Sequence, residues 1–456
     1  MYTYSFNPFR KAISELQAQD LTVLRNVAEG WYVDYKKEGI KTNDLAKHLS
    51  AFSNQYGGFL IIGIREAEDG SRKAGAFVGV PEEQLASLSL QIREAAVSHV
   101  SPPVLYEECA VVGPCEEIGL PANKAILIVA IPQGNNPPYI HSSGRIYRRL
   151  ADQSKPKEET DRYILDDLWR RGKEEREDLS QFLTKTPELP AAQENSTWAF
   201  VYLVPNIDFP DPKTVLSFEK FRLYTVECKE SVGLPSMPMQ SVYSAQGGYI
   251  ARQVEKNNPG LACAALRWWH GGVTRLEIPI NTFSIHDFIG QQGRHKYAQA
   301  FVSEALKQGF KDVEICDFSI LLLCLASLSN IYRRLLKETG DSRPIYATYE
   351  LRNVFYRLPF LDSMKYIKRC STVGIPVILD RITRHPQTPY FDNMLSLPTS
   401  EEDVDMSAED RTQFYPYVFI APIAYHILNS VGVLTDVTDI TDAEIWGHEK
   451  AIRSCS

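Results

Sequence analysis

The chain has 456 residues, of which 44% are hydrophobic, 23% charged and 11% aromatic. Those values exclude a disordered or fibrous chain and leave room for two or three domains with real cores. The formal net charge of −8 excludes a global basic field, so any nucleic-acid site has to be a local patch.

Residues 1–28 read as a helical lead-in without the charge-free apolar stretch of a signal peptide. Glu29-Gly30-Trp31-Tyr32-Val33-Asp34-Tyr35-Lys36-Lys37 then reads as a short strand, with Glu29 just before it and Asp34 within it. Leu45, Leu49 and Phe52 recur at helical spacing and predict one buried stripe, with Thr42 or Asn43 as the cap. Gly57-Gly58 ends that helix with a left-handed exit. Phe59-Leu60-Ile61-Ile62 follows as a strand buried on both faces, and Gly63-Ile64-Arg65-Glu66 delivers a charged pair at its end.

Further on, residues 81–97 predict a helix with Leu85, Leu88, Ile92 and Ala96 on one face. Residues 104–112, 124–131 and 145–149 predict strands, and 157–178 a highly charged helix. Two prolines in the polar stretch 184–195 predict a linker. Beyond it, 196–280 is strand-rich, with a hairpin at Gly271-Gly272. Helices are expected over 297–306, 318–338 and 417–431, strands over 346–355 and 375–380, and an acidic loop over 400–411. The fold class is α/β in the broad α+β sense. The expected domains are 1–183, linker 184–195 and a mixed α+β domain over 196–456, whose role (sensor, assembly surface or substrate clamp) no motif discloses.

Three ordered blocks resemble one family. They are Glu29 with Asp34-Tyr35-Lys36, then Ser50-Ala51-Phe52, Asn54, Gly57-Gly58 and Ile62 to Glu66, then Pro137-Pro138-Tyr139 with Gly144-Arg145-Ile146-Tyr147-Arg148-Arg149. Together they resemble the Schlafen AlbA-2 domain, over roughly Leu21 to Ala151. The resemblance implies a prokaryotic Schlafen-like protein with no helicase-like half attached. It also implies a catalytic and metal-binding trio of Glu29, Asp34 and Glu66. RNA-cleaving members usually have Asp in the third place and often Glu in the second; here the two identities are exchanged.

Carboxylates at these places suit Mg2+ or Mn2+, which prefer oxygen ligands and can neutralise charge on a reacting phosphodiester. Glu29 and Asp34 are five apart, so a straight strand would point them to opposite faces; they converge if Gly30 bends the chain. Lys36, Lys37, Arg65, Arg145, Arg148 and Arg149 are the expected nucleic-acid contacts, with Tyr35, Tyr139 and Tyr147 as stacking aromatics. The competing reading has these arginines pairing with Glu158, Glu159 and Asp161 and pinning the next helix.

No P-loop, nucleophile elbow or paired-histidine metal motif occurs in the chain. Its eight cysteines form no CxxC pair, which fits free thiols in a reducing compartment. The apolar runs 320–326 and 417–428 are too short for a bilayer. The cysteines and apolar runs lead to the expectation of a cytoplasmic protein, and the Schlafen resemblance implies a metal-dependent endoribonuclease acting on structured RNA such as tRNA, with a role in antiviral defence. The alternatives are a nucleic-acid-binding regulator without catalysis and an oligomerising defence scaffold. Asp34→Asn is expected to abolish cleavage while leaving the fold intact.

Overall fold

A computed structural model describes residues 6–151, 155–185, 187–209, 214–226, 237, 239–254, 262–269, 271–387, 391–398 and 408–433. The chain divides into two compact units, Met1–Leu179 with Ile207–Lys213, and Ser180–Asn206 with Thr214–Ser456. Both mix helices and sheets, so the fold class is α+β.

The first unit is built on β1 (Val33–Lys36), α1 (Thr42–Asn54), β2 (Gly58–Ile62), β3 (Ile64–Glu66), β4 (Ala74–Phe77), β5 (Val80–Pro81), α2 (Leu85–Ser98), β6 (Val100–Ser101), β7 (Glu107–Val112), β8 (Lys124–Ile131), β9 (Ile140–His141), β10 (Tyr147–Arg148), β11 (Lys157–Glu158) and α3 (Arg162–Thr184), of which the part up to Leu179 belongs to it. β1 runs parallel to β2, and β2 antiparallel to β8. β8 also pairs with β5 and β7.

Period-two alternation splits β2 between two cores. Phe59 and Ile61 face a layer made with Val33, Tyr35, Leu21 and Leu24. Leu60 and Ile62 face the layer in which Leu45, Leu49 and Phe52 of α1 meet Leu88 and Ile92 of α2. The same alternation in β1 sends Val33 and Tyr35 to the first layer and leaves Asp34 facing the α1 side.

α1 begins at Thr42 with Lys41 in the capping place and no side-chain cap hydrogen bond, so neither Thr42 nor Asn43 caps it. It ends as its glycines dictate. Gly57 has φ +70°, and its N–H donates to Phe52 O at 2.9 Å. A Cβ on Gly58 would lie 2.4 Å from Tyr32 O, so the β2 backbone comes this close to the β1 approach because no side chain intervenes. The charged helix starts at Arg162, not 157, because Lys157 and Glu158 pair with Arg148 and Tyr147 as β11.

The second unit carries β12 (Trp198–Pro205), α4 (Phe218–Val226), β13 (Ser241–Ala245), β14 (Gly248–Arg252), β15 (Ala265–Trp269), β16 (Thr274–Pro279), β17 (Thr282–Ser284), α5 (Ile285–Ile289), α6 (Ala298–Lys307), β18 (Glu314–Asp317), α7 (Phe318–Thr339), β19 (Ile345–Arg352), β20 (Leu358–Phe360), α8 (Met364–Val373), β21 (Ile382–Arg384), β22 (Leu395–Leu397) and α9 (Ala408–Ser430). A sheet ordered β13-β14-β15-β16-β12-β19-β21 dominates it, with β22 also on β19. Residues 375–380 form no strand; Ile375 and Ile378 are buried from an irregular segment instead. The expected acidic loop falls largely outside the described residues, and from Ala408 onward the chain is helical.

Among the described residues, α7 is the one helix long and apolar enough to cross a membrane, and 78% of its most apolar window is buried. Leu321, Leu322, Leu325, Leu328 and Tyr332 pack into the unit's main hydrophobic cluster, which is what a core helix does.

Candidate acidic site and nucleic-acid surface

The acidic site forms at the edge strand β1, on the α1 side. Asp34 is fully buried. Its Oδ1 is ion-paired with Lys36 Nζ. Its Oδ2 lies 2.5 Å from Arg149 Nη1 and 2.8 Å from His48 Nδ1. Burial alone would raise this carboxyl, but His48, Arg149 and Lys36 together outweigh it and hold the group well below the usual carboxylate range. His48 is itself pushed down by burial, against the pull of Asp34.

Glu29 sits outside the strand, in the bend that leads into it. Gly30 N–H donates to Val33 O at 3.0 Å, and this turn removes the parity obstacle between positions 29 and 34. Glu29 Oε1 accepts from Tyr35 N–H at 2.5 Å, while Oε2 is buried without a hydrogen-bond partner among the described residues. Burial, then the charge of Asp34, and further down Glu66, push this carboxyl up to about 8, against the Tyr35 hydrogen bond and Lys36. Two adjacent carboxyl groups are thus driven apart in acidity, the arrangement from which acid–base pairs are made.

Glu66 is half-buried at the end of β3, where the register with β4 shifts between Arg65 and Glu66. It is near enough to Glu29 to add repulsion and far enough out to meet solvent.

Arg149 is the residue that assembles the site. It is fully buried. Beyond Asp34, its Nε and Nη2 donate to Gly30 O at 3.1 and 2.7 Å, and Nη2 reaches Val33 O at 3.3 Å. Its guanidinium lies 5.0 Å from the Phe52 ring centroid. Asn54 ties the same blocks together: its amide accepts from Tyr139 N–H at 2.7 Å and donates to the carbonyls of Tyr139 and Tyr147 at 2.9 and 3.0 Å.

The expected basic surface is redrawn by these contacts. Arg149 lies inside and has no surface to offer a phosphate. Arg145 pairs with Glu158 at 2.8 Å and Arg148 with Glu159 at 2.7 Å. Those pairs fasten β10 to β11, close to the competing structural reading. Lys37 and Arg65 remain exposed with no ion-pair partner among the described residues, and Lys36 stands half-exposed above Asp34. Tyr35, Tyr139 and Tyr147 are buried core residues, so none of them can stack on a base.

Sequence reasoning passed over His48, although it stands three residues after Leu45 and four before Phe52, on the apolar stripe of α1. A titratable residue on a buried stripe was the available signal. It also missed the inward turn of Arg149, which follows from alternation with Arg148.

The side chains as arranged do not suit a divalent cation. Both Asp34 oxygens are engaged by cationic or donor groups. Among the described residues, no three or more of His, Cys, Asp and Glu are gathered so as to hold a metal ion. No step is therefore assigned to Mg2+ or Mn2+.

Residues 29–158 match the family model described as Schlafen, AlbA_2. The first unit therefore carries a Schlafen AlbA-2-like domain, and the family connects it with nucleic-acid-related functions. Fourteen chains of solved structures also match. One is the crystal structure of the DIP2311 protein from Corynebacterium diphtheriae, 19% identical, with 31% of this chain and 29% of that chain covered and a TM-score of 0.20. The chain spans less than a third of that protein, and a likeness at this level carries no argument about fold or function. Among curated proteins, none matches this chain.

Proposed function

We propose that the first unit is a phosphodiester-cleaving module, an endoribonuclease acting in the cytoplasm on structured RNA such as tRNA, in a defence role. Glu29, Asp34 and Glu66 are its acidic site, and Lys36 is the cation at its mouth. The geometry that supports this most sets a buried Glu29 carboxyl, pushed up by burial and by the charge of Asp34, beside an Asp34 carboxylate held by Lys36, Arg149 and His48. A raised carboxyl next to an ionised one suits general acid–base cleavage. Glu66 and Lys36, both partly exposed, are the groups a phosphodiester meets first.

The test is incubation of purified protein with total RNA, with Mn2+, with Mg2+ and with a chelator. The expected result is cleavage that Glu66→Gln strongly reduces at unchanged melting temperature. Intact RNA with the wild-type protein under all three conditions would remove the nuclease reading. The chelator arm states directly whether a cation takes part.

A second reading, nucleic-acid binding without catalysis, is favoured by one observation: Asp34 has no oxygen left free of Lys36, Arg149 and His48. A mobility shift of RNA without cleavage would select it.

A further inference from the structure

We propose that Trp31 and Tyr56 form a base-stacking platform for unpaired nucleotides beside the acidic site. This rests on the nucleic-acid reading of the domain but not on cleavage. Both side chains are large, aromatic and exposed, 42% and 39% respectively. Their ring centroids are 5.9 Å apart at an interplanar angle of 64°. Tyr56 lies 6.0 Å from Tyr32, and Tyr32 5.3 Å from Phe6. The four rings make a run from solvent to the edge of the core. The two outer rings brace each other edge to face and still leave much of their surface to solvent, open to a further ring.

The backbone beneath is tied down by hydrogen bonds. Trp31 belongs to the Gly30–Val33 turn, whose two end carbonyls are held by Arg149. Tyr56 precedes Gly57 in the helix exit fixed by the Gly57 to Phe52 hydrogen bond. A platform fixed before binding loses little entropy when a base settles on it. The position is also specific. Trp31 stands two residues after Glu29 and three before Asp34, so the ring is carried by the same turn that places the two carboxylates. Arg171, with Nη1 3.5 Å from Asn54 O, brings a cation to the same end of α1.

Ring faces accept any base, so the platform selects by strandedness. A base in a duplex has both faces covered by its neighbours, whereas a loop or an end offers them. The substrate class inferred is therefore RNA with unpaired nucleotides, bound with little sequence preference. The competing occupant is a second copy of the chain.

The test uses the full chain and measures fluorescence anisotropy with a labelled single-stranded oligouridylate and with a blunt RNA duplex. Melting temperatures of all variants are taken alongside. Trp31→Ala and Tyr56→Ala are each expected to weaken single-strand binding about tenfold, while duplex binding stays within about twofold. Tyr56→Phe, which keeps the ring, is expected to bind like wild type. Equal loss on both RNAs, or no loss on either in folded variants, overturns the platform. So does unchanged affinity with a dimer-to-monomer shift in sedimentation, which would give the surface to a second copy. Wild-type protein that binds neither RNA removes the nucleic-acid reading itself. The expected binding pattern together with total RNA left intact by the wild-type protein would remove the nuclease reading alone.

Discussion

Arg149 Nη1 lies 2.5 Å from Asp34 Oδ2, and both side chains are fully shielded from solvent. Breaking a buried pair leaves an uncompensated charge and costs about 3–5 kcal/mol. Here Lys36 and His48 still partner Asp34, so Arg149→Ala is expected near the lower end, about 3 kcal/mol, in urea unfolding. Arg149→Lys keeps the charge but cannot donate to Asp34, Gly30 and Val33 together, and should fall between alanine and wild type. An alanine variant as stable as wild type would show that the pair does not organise the turn.

The same contacts change what Asp34→Asn can reveal. Removing the carboxylate strips Arg149 and Lys36 of their shared anion inside the fold. We expect a loss of about 3 kcal/mol together with any loss of activity, visible as a lowered melting temperature. Unaltered stability would mean that Arg149 and Lys36 find other partners. Glu66→Gln, at the half-buried strand end, is the cleaner probe of chemistry.

Glu29 makes stability depend on pH. Its carboxyl is pushed up to about 8 from an ordinary 4.5. Between those values the folded chain keeps a proton that the unfolded chain has released, so stability falls as pH rises through the window. Glu29→Gln keeps an acceptor for Tyr35 N–H and removes the titration. Its melting temperature relative to wild type should therefore be higher at pH 8.5 than at pH 5. A constant difference between the two proteins would count against the raised pKa of Glu29.

The exposed cations are expected to carry phosphate contacts, with the paired arginines left to structure. Lys37→Glu with Arg65→Glu should weaken RNA binding about tenfold at low salt, reduce its salt dependence and leave the melting temperature unchanged. Arg148→Glu, which sets two acids against each other at Glu159, should lower the melting temperature first. Filter binding at two salt concentrations, with thermal melts, separates the two outcomes.

Gly58→Ala tests the close approach on which the site's backbone rests. Its Cβ would meet Tyr32 O at 2.4 Å, at φ +154°. The expected cost is more than about 2 kcal/mol, with the β1 turn displaced. Wild-type stability would show that the two backbones can separate freely.

The local elements were legible because their signals are local. Leu45, Leu49 and Phe52 mark the buried face of α1, the glycine pair marks its exit, and Phe59 to Ile62 marks a strand covered on both sides. The three motif blocks were enough to name the domain. What needed the tertiary structure was which charges meet. Arg145, Arg148 and Arg149 look alike in a sequence, yet one is sealed against Asp34 and two are clasped by Glu158 and Glu159. That outcome depends on where β10 crosses α1 and pairs with β11. The aromatics divided in the same way. Tyr35, Tyr139 and Tyr147 went to the core, while Trp31 and Tyr56 stayed on the surface. The acidity of Glu29 was set by the burial of its carboxyl next to Asp34, and desolvation and Coulomb repulsion at short range exist only once the chain has folded.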